Sequence, residues 1–173
     1  TDDRTTLTAL SGTPPSARSL HQAACIGSPN GKLVIWVWQD NNGSALNDGA
    51  VFDFATGAWT ATGGAPPTGV MEATAISSAT EMIVFGGLAN TGLPVSSGAR
   101  YNPVTNLWTT NGGTPPTARY LHTSVWTGSR MITWGGFANG TASPYLNTGS
   151  VYDPSGPTWT ATTATGAPPV RAM

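Results

Sequence analysis

Apolar and polar residues alternate with a period of two in three stretches of the chain: RSLHQAACI, VMEATAISS and RYLHTSVWT. A short polar turn follows each stretch, and then comes a nearly continuous apolar run: KLVIW, EMIVF and RMITW. Alternation is typical of a strand with one buried face, and a continuous run suits a strand covered on both faces. No segment keeps the helical i, i+3, i+4, i+7 pattern for three turns, so the pattern predicts an all-β protein.

The same order of elements recurs three times along the chain. Proline pairs at 14–15, 66–67, 115–116 and 168–169 are separated by 52, 49 and 53 residues. Each second strand is followed by a polar loop, a third strand, a tight turn and a fourth strand that carries a tryptophan. Four short antiparallel strands in a unit of about 50 residues are typical of a β-propeller blade.

We therefore predict one propeller segment over 1–173, built from blades of four antiparallel strands. The predicted full repeats are 14–65, 66–114 and 115–167, and partial repeats are expected at 1–13 and 168–173.

The composition favours a folded domain and excludes several classes of partner. Hydrophobic residues make up 39% of the 173 residues and seven are tryptophans, which is enough apolar area for a core. Charged residues make up only 9%, and the net charge of −1 predicts no attraction to nucleic acid. No run approaches the roughly 18 apolar residues needed to cross a bilayer, so no membrane insertion is expected. A charge-poor surface rich in Thr, Gly and Asn favours an extracellular or cell-surface location.

The single cysteine, Cys25, excludes an internal disulfide framework and a cysteine-based metal site. It lies in the alternating stretch HQAACIG, which predicts a buried, inert thiol.

One motif recurs with the repeat: Pro-x-x-Arg-x-x-His, a strand, Gly-Gly, a loop, Tyr-Asp-Pro, a short turn and Trp. Its fullest copy is PPTARYLH…MITWGG…SVYDPSGPTW, over 115–159. This motif resembles the kelch repeat, in the form found in bacterial kelch proteins and in the central domain of galactose oxidase. The resemblance implies blades of a six- or seven-bladed propeller. It also implies a binding scaffold, since only a minority of such propellers carry enzymes, such as the copper-dependent galactose oxidase type.

The three copies depart from this motif in different places. The first has Val37-Trp38 in place of the glycine pair and Phe52-Asp53-Phe54 in place of Tyr-Asp-Pro, and the second has Val70 and Ala73 in place of Arg and His. The sialidase-type Asp-box is a poorer match, because its repeated Ser-x-Asp-x-Gly spacing is missing.

An arginine–histidine pair occurs twice at equivalent positions, as Arg18 with His21 and as Arg119 with His122. Catalysis needs one constellation at one place, so a duplicated pair with a copy that lacks it favours a structural role. We expect these side chains to satisfy buried backbone carbonyls where one blade meets the next.

The glycine pairs Gly86-Gly87 and Gly135-Gly136 are also interpreted as structural. Neither is followed by the helix and lysine of a phosphate-binding loop, whereas glycine at a strand end permits positive φ or close backbone approach. The periodic tryptophans Trp59, Trp108 and Trp159 are expected to pack between blades rather than to stack on sugar.

The residue inventory is poor for an enzyme. With only two histidines, a three-ligand zinc or copper site would need carboxylates or a tyrosine. No nucleophile-elbow pattern is present. We predict no catalytic residues, no metal site and no cofactor.

Binding residues are expected in the loops after the second strands, because these loops vary most between copies. The loops span 39–48, 88–97 and 137–148. Trp38, Asp40, Asn41 and Tyr145 form an aromatic and polar set in or beside them that suits a protein or a glycan ligand.

The sequence thus predicts a non-catalytic interaction scaffold. Two alternatives stay open: the propeller part of an extracellular enzyme of galactose-oxidase-like or sialidase-like type, and a structural component of an extracellular assembly. Three blades cannot close a ring, and open sheet edges favour association. The expected partners therefore include further blades, from a longer chain or from a second copy, and the isolated chain is not expected to be a stable monomer.

Overall fold

The computed structural model describes residues 11–19, 21–27, 31–36, 39–40, 42–64, 68, 70–139 and 144–167. These residues contain strands, turns and no helix, which confirms the predicted all-β class. Accordingly, no helix in the described part of the chain is long and apolar enough to span a membrane.

Fourteen strands are present in the described residues, and twelve of them form three four-stranded antiparallel sheets, the blades. The first blade contains β1 (Gln22–Ile26), β2 (Lys32–Trp36), β3 (Gly49–Asp53) and β4 (Ala58–Ala61). The next six strands are β5 (Val70–Met71), β6 (Thr74–Ser77), β7 (Met82–Phe85), β8 (Leu88–Ala89), β9 (Gly98–Asn102) and β10 (Leu107–Thr110). The third blade contains β11 (Thr123–Trp126), β12 (Met131–Trp134), β13 (Gly149–Asp153) and β14 (Thr158–Ala161).

Each blade is a meander in which neighbouring strands follow one another along the chain. The orders are β1-β2-β3-β4, β6-β7-β9-β10 and β11-β12-β13-β14, while β5 pairs with β8 in a small separate sheet. One blade falls within each of the ranges 14–65, 66–114 and 115–167. The tryptophan-bearing fourth strand lies at the edge of every blade.

A glycine begins the third strand of each blade, where a Cβ atom would lie 2.5, 2.5 and 2.3 Å from a backbone carbonyl oxygen of the second strand, and in two blades an aromatic ring crowds the same space. Gly49 pairs with Trp36, and Gly149 pairs with Trp134, across the second and third strands. A Cβ atom would lie 2.8 Å from the Trp36 ring at the first position and 2.6 Å from the Trp134 ring at the second. The register of the sheet therefore requires a residue without a side chain.

The core consists of the two boundaries where the second blade meets its neighbours. At the first boundary, Trp36 and Val34 of the first blade pack against Met82 and Tyr101 of the second. At the second boundary, the second blade packs against the third, and the buried residues are Ile83, Phe85, Met131 and Tyr152. Strand β7 serves both boundaries, because its alternate residues point to opposite faces.

The predicted first strands are broken in two. Glu72 and Leu121 adopt positive φ values of 56° and 52°, and the blade strands begin only at Thr74 and Thr123. A left-handed residue turns the chain, so the residues before it pair elsewhere. Alternation alone does not reveal such a break, because the period of two continues through it.

The prediction of a buried thiol is wrong, since Cys25 is exposed. In β1 the alternation directs Ala24 and Ile26 into the first boundary, and Cys25 points to the opposite face of the blade. Period-two alternation identified two faces, but it did not say which of them the second blade covers.

Candidate functional site

The loops after the second strands are paired at one end of the molecule, which we call the loop rim: the described residues of 39–48, 88–97 and 137–148. In each loop, one residue lies between two bridge partners. Gln39 pairs with Ser19 and Ala45, Leu88 with Met71 and Pro94, and Phe137 with Tyr120 and Tyr145. The three segments predicted as variable loops thus share a repeated backbone arrangement.

Asparagines join the loops of neighbouring blades. The Asn90 side-chain oxygen accepts a hydrogen bond from the Ala45 amide at 2.8 Å, and Asn139 donates one to the Gly92 carbonyl at 3.1 Å. Asn90 and Asn139 occupy the same position of the repeat. Side chains from one loop therefore hold the next, and the loop rim is a continuous surface across three blades.

Three aromatic side chains stack along the loop rim of the third blade. The ring centroids of Tyr120 and Phe137 are 5.4 Å apart, and those of Phe137 and Tyr145 are 4.7 Å apart. All three residues are partly exposed. We call Tyr120, Phe137 and Tyr145 the aromatic ladder. The equivalent bridge positions in the other two blades hold no aromatic residue.

The sequence-predicted binding residues are only partly brought together. Tyr145 forms the end of the aromatic ladder, whereas Trp38 and Asn41 lie outside the described residues. Asp40 is in the loop of the first blade, with the loop of the second blade between it and Tyr145. Sequence reasoning missed Tyr120 and Phe137, although a comparison of equivalent repeat positions would have shown that only the third copy is aromatic there.

The carboxylate of Asp40 organises its own turn. It accepts hydrogen bonds from the backbone amides of Ser44 at 2.9 Å and Asn42 at 2.8 Å. These bonds, with that from Ser44 as the largest cause, lower the pKa of Asp40 below its ordinary value. Asp40 thus shapes the loop rim and remains ionised at neutral pH.

The guanidinium of Arg119 is buried and bonds backbone carbonyls, but it does so within its own blade. It donates to Gly135 O at 3.0 Å, to Thr148 O at 2.7 Å and to Thr117 O at 3.1 Å. Burial lowers the pKa of Arg119. The expectation that this side chain would bridge two blades is corrected here, since only its backbone does so, where Arg119 O accepts from the Gly87 amide at 2.8 Å.

Arg18 repeats this geometry in the first blade. Its guanidinium donates to Asp48 O at 3.1 Å and to the Asp48 carboxylate at 3.0 Å. Asp48 precedes the third strand of its blade just as Thr148 does, so the two arginines tie equivalent segments together. The Arg18 side chain is 3% exposed, and that of Asp48 is 54% exposed.

His122 crosses the second boundary. Its Nε2 lies 2.9 Å from the hydroxyl of Thr74, which is itself 2.6 Å from the hydroxyl of Ser124. Burial, and next the charge of Arg119, lower the pKa of His122 to about 3, so the ring is neutral at physiological pH. Within the described residues no carboxylate takes part in this hydrogen-bonded row, which therefore lacks the third group of a catalytic triad.

The equivalent histidine, His21, does not share this role, because it is exposed. His122 faces the blade that precedes its own, and none of the described residues forms a blade before the first. The common structural role expected for the two histidines is therefore corrected: their surroundings differ although their repeat positions agree.

The glycine pairs lie where the backbone is left-handed and crowded. Gly86 and Gly87 have φ values of 67° and 106°, and Gly135 and Gly136 have values of 72° and 89°. A Cβ atom on Gly86 would lie 2.6 Å from the carbonyl oxygen of Arg119. Gly86-Gly87 thus lets its strand end approach the third blade, whereas a Cβ atom on Gly136 would lie 2.6 Å from Tyr120 O of its own blade.

Two of the three periodic tryptophans lie against the preceding blade. The Trp108 ring is 4.3 Å from that of Trp36, and the Trp159 ring is 4.6 Å from that of Phe85. Trp59 packs on Phe52 of its own blade at 5.2 Å.

The described residues contain no group of three His, Cys, Asp or Glu side chains that could hold a metal ion. With His122 buried and neutral, the geometry that stands out at the molecular surface is the loop rim, which offers contact area and hydrogen-bonding groups.

Comparison with family models gives a match over residues 1–172 to the model described as the KLHDC2/KLHL20/DRC7 Kelch-repeats domain. No curated protein matches the chain. Domains of this kind typically are non-catalytic modules that mediate protein interactions. The match covers almost the whole sequence and agrees with the three four-stranded blades, so the chain belongs to the kelch-repeat family.

Proposed function

We propose that this chain is a non-catalytic scaffold that binds a segment of a partner protein on the loop rim, with the aromatic ladder as the main contact. The observation that carries the proposal is the stacking of Tyr120, Phe137 and Tyr145 at partly exposed positions. Their equivalents in the other two blades are not aromatic, so the architecture of the repeat does not require them.

The chemistry of the ladder suits a protein partner. Tyrosine presents an apolar ring and a polar tip, and aromatic residues are enriched in protein interfaces. Two further apolar side chains are exposed: Leu121, which follows Tyr120 in the chain, at 37%, and Leu93, which follows the Gly92 bonded by Asn139, at 58%. Since only 9% of all residues are charged, we expect apolar contacts and hydrogen bonds, rather than ion pairs, to supply the affinity.

The asparagine links support the same proposal through rigidity. Asn90 and Asn139 connect neighbouring loops, so little conformational freedom remains to be lost when a partner binds. A preorganised surface binds more tightly than a mobile one of the same composition.

The test is a selection of displayed peptides on the full chain, followed by measurement of Kd for the ladder variants Tyr120→Ser and Tyr145→Ala. These variants introduce the residues that the first blade has at the equivalent positions, Ser19 and Ala45, so they should fold. Each should weaken binding about tenfold, as expected for an interface hot spot.

The matched control is Val104→Ala, which removes an apolar side chain that is 81% exposed in the turn between β9 and β10, at the opposite end of the blade. It should leave Kd unchanged. Selected peptides that bind both ladder variants as well as the native chain would contradict the proposal. A response confined to a glycan array would replace the protein partner by a carbohydrate, and metal-dependent turnover would favour an enzyme.

A further inference from the structure

A cleft opens between the second and third blades, at the end opposite the loop rim. We call this end the turn rim, because it is formed by the turns between first and second strands and between third and fourth strands. The cleft has a volume of about 260 Å³. Its walls include Arg100, Glu81 and Trp126, together with the hydroxyl-bearing residues Thr80, Ser129 and Ser155.

Arg100 departs from the repeat at a place where packing favours an apolar residue. The first and third blades have Val51 and Val151 at the equivalent position. The Arg100 side chain is only 14% exposed, and its Nη1 donates to Pro154 O at 3.1 Å. Its Nε is buried without an acceptor among the described residues. A buried donor without a partner is unfavourable, so one side of the guanidinium lacks the hydrogen bond that its burial calls for.

Glu81 departs from the repeat as well. The other two blades carry a cation at this position that pairs with the aspartate at the end of the third strand: Lys32 with Asp53, and Arg130 with Asp153. The second blade reverses the charge and has Asn102 at the end of its third strand, so the Glu81 carboxylate lies 3.4 Å from Arg100 instead. Two departures from the pattern thus meet at the same cleft.

The walls of the cleft combine a hydrogen-bond donor, an acceptor and an aromatic ring. The guanidinium of Arg100 can only donate and the carboxylate of Glu81 can only accept, whereas the hydroxyls can do both. The opposite charges of Arg100 and Glu81 cancel, so the cleft does not favour an anion. Because both side chains are polar, it does not favour a purely apolar ligand either. A sugar ring has an apolar C–H face and a rim of hydroxyls, which matches an aromatic ring beside a donor and an acceptor.

We propose that the cleft at the turn rim binds one neutral hexose ring, with the apolar face of the sugar on Trp126 and its hydroxyls on Arg100 and Glu81. This site is independent of the proposed protein contact at the loop rim. Its volume is slightly below the range of pockets for drug-sized ligands, so it suits a single ring. The expected Kd is on the order of 1 mM.

The test is a titration of the full chain with methyl β-D-galactopyranoside, methyl α-D-glucopyranoside and methyl α-D-mannopyranoside, followed by NMR of the tryptophan indole N–H groups. The chain has seven tryptophans, and the spectrum of Trp126→Phe identifies the signal of Trp126. At least one glycoside should shift that signal saturably and leave those of the boundary residues Trp36 and Trp108 unchanged.

Arg100→Val is the decisive variant, because it introduces the residue of the other two blades. It should weaken binding at least tenfold, and it should also lower the melting temperature, because the Glu81 carboxylate is left without its partner. Lys32→Gln removes the cation at the equivalent of the Glu81 position in the first blade, and it should leave the affinity unchanged.

The proposal is overturned if no glycoside gives a saturable shift, or if Arg100→Val binds as the native chain does. Sodium phosphate that shifts the Trp126 signal where the glycosides do not would assign the cleft to an anion and overturn it too. A lower melting temperature of Arg100→Val, with no sugar response in the native chain, would assign Arg100 and Glu81 to holding the blades together.

Discussion

The two boundaries between blades use the same positions of the repeat with opposite chemistry. At the first boundary, Val70 and Ala73 are buried in an apolar cluster. At the second boundary, Arg119 and His122 occupy the equivalent positions and are also buried. These two positions of the motif therefore accept either an apolar pair or arginine with histidine, and of the latter only the His122 side chain hydrogen-bonds across the boundary, to Thr74.

A glycine lies on the opposite side of the second boundary. Gly86 lies against the second boundary, where a Cβ atom would come within 2.7 Å of the His122 ring. In the sequence, the first blade has Val37 and Trp38 at the positions of the glycine pair, and the blade that follows it has the smaller residues Val70 and Ala73. In the sequence, large residues at the glycine positions of one blade thus accompany small residues at the arginine and histidine positions of the next. This difference teaches that the glycine pair of one blade and the arginine–histidine pair of the next act as one unit.

The largest effect is expected at the tryptophans. Trp108 lies 4.3 Å from Trp36 across the first boundary, so Trp108→Ala should lower the free energy of unfolding by about 4 kcal/mol. The described aromatic neighbour of Trp59 is in its own blade. We therefore expect Trp59→Ala to lower the free energy of unfolding by only about 2 kcal/mol. Urea denaturation of the two variants checks this order, and equal losses would contradict the role given to the boundary.

The next effect concerns the crowded glycine. Gly86→Ala combines a positive φ with a backbone carbonyl 2.6 Å from the new Cβ, so we expect a loss of about 3 kcal/mol in the free energy of unfolding. Gly92→Ala is the matched control, because Gly92 has a similar φ of 74° and nothing within 4 Å. Gly92→Ala should lower the free energy of unfolding by only about 1 kcal/mol, which is the cost of a positive φ without a steric clash. A similar loss for both variants would show that the contact with the third blade is unimportant.

The two arginines should respond differently to lysine. Arg119→Lys removes the fork that donates to Gly135 O and Thr148 O in a buried site, and should lower the free energy of unfolding by about 2 kcal/mol. Arg18→Lys keeps an ion pair with the largely exposed carboxylate of Asp48 and should cost about 0.5 kcal/mol. Denaturation of both variants under one set of conditions gives the comparison. If Arg18→Lys costs more, the burial of the acceptors does not govern the effect.

The last effect is a dependence of stability on pH, which is the smallest of these effects when it is counted per pH unit. The ordinary pKa of histidine is 6.5, and burial lowers the pKa of His122 to about 3 in the folded chain. Between these two pH values, the unfolded chain binds a proton at His122 and the folded chain does not. Stability contributed by the neutral ring is therefore complete above pH 6.5 and is lost as the pH falls from there towards 3. The expected loss is about 1.4 kcal/mol in the free energy of unfolding per pH unit in this window.

His122→Ala, which introduces the residue of the first boundary, should flatten this part of the stability profile. His21→Ala should leave it unchanged, since His21 is exposed. If His21→Ala flattens the pH profile of stability and His122→Ala does not, the pH dependence belongs to His21 and the assignment to His122 is wrong.

The sequence was sufficient for the order of strands within a blade, because hydrophobic period and repeat length together determine which strands are neighbours. It was insufficient wherever the outcome depended on which blade covers a face. His21 and His122 have the same motif around them and opposite exposure for that reason. The left-handed residues Glu72 and Leu121 were also missed, since alternation continues through them.

The candidate site shows the same division. Tyr145 was predicted from its place in a variable loop, but its stacking partners are the residue before a strand break, Tyr120, and the first residue of the same loop, Phe137. Bridges such as the one from Phe137 to Tyr120 bring them together, and bridges between single residues leave no periodic signal in a sequence.

The exposed thiol of the first blade has a practical consequence. Cys25 is the single cysteine of the chain, so a maleimide dye will attach to one known place without any engineering. The same accessibility permits oxidation, and two chains can be joined by a disulfide on storage in air. The intrinsic association of the molecule should therefore be measured under reductant, since a disulfide through β1 can otherwise link two chains.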